Sequence, residues 1–384
     1  MLNALNKSRL SSKGIPSGQH SIKIAILGLS ITSSWGNGHA ITYRGLMAEL
    51  VRRGHQVLFL ERNMPWYAEH RDLPRTRYGR VELYSDLKEL QERYANDIRS
   101  ADCVVVGSYV PDGIAVGEWV TSVASGVTAF YDIDTPVTLA NVDLDSCEYL
   151  NRNVLRKYDV YLSFTGGPIL HRIEKVYGSP MARVLYCSID PTAYSPEYQI
   201  NRWDLGYIGT YSDDRQPLLN ALLVKPARLW KRGRFVVAGP LYPDSIAWPE
   251  NIERIEHLPP QGHRDFYNGQ KFTLNITRAD MIKAGYSPSI RLFEAAACAT
   301  PIITDYWRGL ETIFRPDEEI LVAETADDVL RFVRDISNEK RCELGWNARR
   351  RVLREHTAAH RAEALERYIL ESRSKAICGE PVMS

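Results

Sequence analysis

A chain of 384 residues, 44% hydrophobic and 25% charged, is ordinary globular material and long enough for two cores. Its 48 Lys and Arg nearly cancel its 47 Asp and Glu, so a formal charge of +1 excludes recognition of nucleic acid or an anionic membrane surface through bulk charge. Six cysteines without a CxxC pair or Cys/His cluster argue against a disulfide scaffold and fit a reduced, cytoplasmic protein.

Residues 1–20, rich in Ser, Lys and Gly, lack the apolar core of a signal peptide and are expected to form a disordered tail. No later run reaches the roughly 18 apolar residues of a membrane span. From residue 21 short β-branched runs alternate with amphipathic stretches, the pattern of a parallel sheet. Strands are expected at 22–29, 56–60, 103–107, 127–131, 159–164 and 182–187. Helices are expected over 41–53, closed by Gly54, from a Ser85 cap through Ile98, over 113–125, and over 168–177 behind Pro168. Together they complete one α/β domain over 21–192.

Residues 190–202 carry Pro191 and Pro196 with little periodicity and read as a linker. Strands are then expected at 205–208, 235–238, 252–255, 272–276, 301–304 and 320–322, giving a second domain over 203–355 and a helix and tail over 356–384. The stretch 327–371 reads as strongly helical, its Arg349-Arg350-Arg351 run as a solvated face. The fold class is therefore α/β, with two Rossmann-like doubly wound parallel-sheet domains facing a central cleft.

The most informative segment, Ala284 to Asp305, combines a polar glycine-containing loop, a helix start and a buried strand in the order that anion binding requires. Ser287-Pro288-Ser289 opens a helix whose first amides, with Ile290 and Arg291, would face a diphosphate at the strand ends. Glu294, about one and a half turns on, is placed to hydrogen-bond a ribose hydroxyl; its apolar neighbours Leu292, Phe293 and Ala295 to Cys298 mean that a carboxylate there needs a partner.

This segment resembles the donor-site motif of group 1 glycosyltransferases with the GT-B fold, particularly the family that includes spore-maturation glycosyltransferases. Retaining members carry two glutamates eight positions apart; Glu294 matches the second, while Tyr286 stands where the first would fall. The turn Gly209-Thr210-Tyr211-Ser212 is similar to the family's glycine turn, which implies donor contacts at Gly209, Tyr211 and Arg215. His257-Leu258 lies where this fold places the nucleobase; Arg278 and Lys283 flank the phosphate loop as weaker diphosphate candidates, and Arg291 either joins them or simply faces solvent.

The loop Gly36-Asn37-Gly38-His39 resembles the acceptor-side glycine loop of such enzymes, with His39 a general base or a simple helix cap. Asp132-Ile133-Asp134 is a bare DxD triplet, read as an acceptor or base pair rather than a metal site because the second domain carries the phosphate loop. Arg62, Trp66 and Tyr109 follow strands and would reach the acceptor side of the cleft.

The resemblance implies metal-independent transfer of a sugar from a nucleoside-diphosphate sugar, UDP-linked by preference, to an acceptor hydroxyl, with the nucleotide sugar as co-substrate and no other cofactor. A nucleotide-sugar epimerase of the same fold and a non-catalytic sugar-nucleotide-binding protein remain as alternatives. The acceptor is left open among polysaccharide, lipid-linked and small-molecule hydroxyls; no nucleic-acid partner is expected, and peripheral membrane contact stays open.

Overall fold

The computed structural model describes residues 21–35, 38–73 and 79–378; the expected tail over 1–20, and Gly36 and Asn37 of the glycine loop, lie outside them. Among the described residues, thirteen strands form two wholly parallel sheets. The first contains β1 (Lys23–Gly28), β2 (Gln56–Arg62), β3 (Arg80–Tyr84), β4 (Cys103–Gly107), β5 (Val127–Asp132), β6 (Val160–Ser163) and β7 (Ala182–Val184) in the order β3-β2-β1-β4-β5-β6-β7. The second contains β8 (Trp203–Ile208), β9 (Phe235–Ala238), β10 (Ile252–Ile255), β11 (Gln270–Asn275), β12 (Ile302–Thr304) and β13 (Leu321–Val322) in the order β10-β9-β8-β11-β12-β13.

Both orders reverse direction beside their first strand, between β1 and β4 and between β8 and β11. Open sheets of this kind bind ligands outside the carboxyl ends of the strands at that reversal. The central strands are buried on both faces, as in CVVVG of β4 and FVVA of β9, because helices cover each side of a parallel sheet. Cys103 and Cys298 pack in these cores as small apolar side chains.

Several expectations need correction. The helix Leu87–Ser100 is capped by Asp86, whose carboxylate accepts from Glu89 N at 2.8 Å, rather than by Ser85. Arg80–Tyr84 is an edge strand that the sequence pattern does not announce, since most of its side chains are half-exposed and charged or mixed. The helix after Pro168 is α-helical only through Arg172 and then π-wound over Ile173–Tyr177. The helical region near the end divides into Ala326–Asp335, Asn338–Glu355 and Ala358–Cys378, and its arginine run is not wholly solvated: Arg351 pairs with Glu319 at 3.1 Å, and Arg349 donates to the Ala297 carbonyl.

Ala358–Cys378 does not stay with the second sheet. It packs on the helix His39–Arg52 and on β5 of the first half. Ion pairs Arg53–Glu366 at 2.6 Å and Arg373–Asp102 at 2.8 Å fasten it there, together with the buried His55–Glu366 contact at 2.6 Å. The chain therefore passes between the halves twice, and the two passages pair: Ala358 N donates to Ile189 O at 3.0 Å and Ile189 N to His356 O at 3.3 Å.

Candidate active site

Two adjoining cavities open where the carboxyl ends of the two sheets face each other. The first, of about 350 Å³, is lined mainly by the second half: Gly209, Arg215, His257, Leu258, Ser287, Ser289, Ile290, Arg291 and Glu294, with Ser34 and Gly38 opposite. That volume suits a small-molecule ligand. The second, of about 480 Å³, is lined by Gly38, His39, Thr42, Asp134 and Phe164 of the first half and by Tyr211, Arg215, Arg278 and Ile290 of the second.

The floor of the first cavity is built around two arginines. Arg291, in the first turn of the helix Ile290–Ala297, donates from Nη1 to Tyr207 Oη at 3.1 Å and Ile208 O at 3.0 Å, from Nη2 to Ile276 O at 2.8 Å, and from Nε to Ser289 Oγ at 3.0 Å. Every acceptor is neutral. Arg215 donates to Thr210 O at 2.6 Å, while its Nε is sealed from solvent and has no hydrogen-bond partner. Among the described residues neither guanidinium forms an ion pair with an acid. Burial first, and the neighbouring Arg291 second, hold Arg215 below the usual guanidinium value. The Ser289-capped helix start adds its partial positive charge to the same place.

Glycine is required at two points of this floor. A Cβ on Gly209 would lie 2.5 Å from Tyr207 Oη and 2.6 Å from Arg291 Nη1, so any side chain there would displace the guanidinium. Gly239 has φ +138°, and a Cβ on it would lie 2.1 Å from Gly209 O.

Glu294 sits on the cavity wall with its carboxylate already engaged. Tyr194 Oη donates to Oε1 at 2.8 Å, Tyr267 Oη donates to Oε2 at 2.9 Å, and His263 Nδ1 lies 3.7 Å from Oε2. Burial pushes Glu294 up, but His263 and the two hydroxyls outweigh it and leave the group below the ordinary carboxylate value. His263 is opposed by burial yet raised by the same carboxylate, and its Nε2 lies 3.3 Å from Leu258 O, tying the wall to the loop at His257-Leu258. Tyr194, Tyr267 and His263 carry no local sequence signal for this role.

In the second cavity His39 begins the helix His39–Arg52, its ring tilted against Tyr109 at a centroid distance of 5.5 Å. Burial lowers its pKa to about 4, so the imidazole is neutral at pH 7. Asp134 Oδ2 accepts from Tyr109 Oη at 2.9 Å and from Arg278 Nη1 at 3.2 Å, the latter across the interdomain cleft.

Several residues expected at the site stand elsewhere. Asp132 lies behind the wall, fully buried, and its carboxylate is consumed by Tyr161 at 2.5 Å, Thr138 at 2.7 Å and the Asp134 amide at 3.1 Å; it can position Asp134 but cannot meet a substrate. Tyr286 has φ +50° and directs its ring against Gly167 and Gly309, where a Cβ on either glycine would lie 2.4 and 2.3 Å from ring atoms, so it joins the halves and lines neither cavity. Arg62 is engaged by Asp112 at 2.5 Å and by Ser85 O at 3.2 Å, and Trp66 stands half-exposed, both outside the cavity linings. Tyr109 acts through Asp134 rather than lining the cavity. Among the described residues no group of three or more His, Cys, Asp and Glu could hold a metal ion, and no helix is long and apolar enough to cross a membrane.

Two parallel-sheet units whose strand ends face one cleft define the GT-B fold. Residues 215–367 match the family model described as glycosyl transferase-like. Among solved structures, the Anabaena HepE protein in complex with UDP and glucose superposes with TM-score 0.68 at 10% identity, covering 91% of this chain and 100% of that one. Sucrose-phosphate synthase from Thermosynechococcus elongatus gives 0.63 at 13%, covering 92% and 99%. An alpha-glucosyltransferase in complex with UDP-glucose and DNA containing an abasic site gives 0.67 at 12%, covering 91% and 100%. At these identities the likeness is one of fold. A comparison with curated proteins gives no match.

Proposed function

We propose that the protein transfers a sugar, a hexose by preference, from a UDP-sugar to an acceptor hydroxyl without a metal ion, in the cytoplasm. The observation that carries this reading is the pair of arginines, Arg215 and Arg291, set with neutral partners beside a helix start in a cavity of about 350 Å³. Part-buried charge held without a counter-ion suits a dianionic ligand. The same groups would stabilise the diphosphate as it departs, which is where charge develops in glycosyl transfer. UDP is favoured because two of the similar solved structures hold it or its glucose conjugate.

On this reading the second half holds the donor, with the nucleobase toward His257 and Leu258 and the ribose near Glu294. His39, neutral at pH 7, and Asp134 face the acceptor side and are the groups able to take a hydrogen bond from an acceptor hydroxyl. Catalysis then rests on positioning and on electrostatic stabilisation.

Calorimetric titration with UDP, GDP and dTDP, with and without EDTA, tests the donor site. The expected result is EDTA-insensitive binding of UDP that is lost in Arg215→Ala. Binding of none of the three would overturn the reading. Release of UDP from UDP-glucose that depends on an added acceptor separates a transferase from an epimerase, which needs none, and from a binder, which turns nothing over.

A further inference from the structure

Among the described residues, Arg278–Asp134 is the ion pair of the cleft that joins a donor-side cation to an acceptor-side acid. Arg278 follows β11 in the second half and lines both cavities. Its Nη1 lies 3.2 Å from Asp134 Oδ2 in the first half, and its Nε lies 3.9 Å from Asp214. Asp134 in turn is nearly enclosed, its side chain 13% exposed against 39% for Arg278. The remaining support of its carboxylate is the Tyr109 hydroxyl at 2.9 Å.

A guanidinium has donors for more than one partner, but a part-buried one facing a cavity with two uncompensated arginines is drawn toward whatever anion enters there. A diphosphate brings more charge than one carboxylate and more acceptors in the geometry that the arginine fork prefers. We propose that Arg278 is a donor-sensing positioning residue: an incoming nucleoside diphosphate takes its guanidinium from Asp134, and the freed carboxylate then accepts a hydrogen bond from the acceptor hydroxyl. This rests on the donor reading given above.

The consequence is an order of binding. Before the donor arrives, Asp134 is occupied by Arg278 and offers the acceptor little. Afterwards it is held only by Tyr109, in surroundings whose burial raises its affinity for a proton and hence for a hydroxyl. Because coupling between two sites is reciprocal, removing the Asp134 carboxylate while keeping Arg278 must tighten donor binding.

The test is a double-mutant cycle read by calorimetric titration of UDP, with uridine as the phosphate-free control. Partly exposed ion pairs are worth up to about 1 kcal/mol, so Asp134→Asn should bind UDP roughly 2- to 5-fold more tightly and leave uridine unchanged. Arg278→Gln should bind UDP more weakly, and in that background Asp134→Asn should have no further effect. Melting curves of each variant show that the protein is folded. Unchanged or weaker UDP binding by Asp134→Asn overturns the inference while leaving the donor site intact. Equal tightening in the Arg278→Gln background also overturns it, because the effect would then be through-space charge. Binding of no nucleoside diphosphate by the wild type overturns the donor reading itself, and this inference with it.

Discussion

Replacing Glu294 by alanine should cost more in stability than any other single change at the site. The substitution removes the acceptor of two hydroxyls, on Tyr194 and Tyr267, which are 4% and 0% exposed and so have no access to water. Each orphaned hydroxyl costs about 1–3 kcal/mol, and the vacated side-chain volume adds to it. The expected loss is therefore about 3–5 kcal/mol, which for domains of this size lowers the melting temperature by roughly 10 °C. Glu294→Gln keeps one acceptor and should lose about half as much.

The pH dependence has a definite sign. A carboxyl held below its ordinary value in the folded protein contributes stability that is full above that value and disappears as pH falls through the folded one. The wild type should therefore lose this contribution below about pH 4.5, and Glu294→Ala should lack it. Urea denaturation without nucleotide, repeated across pH, measures both. A Glu294→Ala protein within 1 kcal/mol of wild type at pH 7 would refute the reasoning, since the tyrosines could not then depend on the carboxylate.

Three further outcomes follow from the same geometry. Gly209→Ala forces Arg291 from its place and should weaken UDP binding about 10-fold in a calorimetric titration while changing the melting temperature little. Arg291→Lys keeps the charge but loses the fork that reaches Tyr207, Ile208 and Ile276, and should weaken UDP by roughly 10- to 100-fold with little change in its salt dependence. Burial raises Asp132 from 3.8 to about 6, so its contribution is full below the lower value and disappears as pH rises through the upper one; Asp132→Asn should remove about 3 kcal/mol from the fall in stability across that window, measured by urea titration.

The two sheets were legible because their central strands are buried on both faces and appear as short unbroken apolar runs, from KIAILG to FVVA. Arg80–Tyr84 was not, because an edge strand needs no such run. The donor floor was legible in part. The apolar neighbours of Glu294 announced a buried carboxylate in need of partners, yet the partners lie 100 and 27 residues away, and no spacing rule joins them. Tyr286 could be read as a departure from a motif, but its wedging between Gly167 and Gly309 depends on how the two halves meet. Arg291 left both a solvent-facing and a ligand-facing role open; the glycine that clears its place stands 82 residues earlier, on another strand end.

The double passage between the halves makes the protein a poor subject for dissection at its apparent linker. A fragment cut between β7 and β8 would keep the seven-stranded sheet but lose the helix Ala358–Cys378 that covers β5 and neutralises Asp102 and Arg53. Its complement would carry that same helix with its apolar side unclothed. Mixed together, the two pieces have a reason to find each other: the severed chain would be rejoined by the helix and by the paired backbone at Ile189 and Thr357, as a split protein is by complementation.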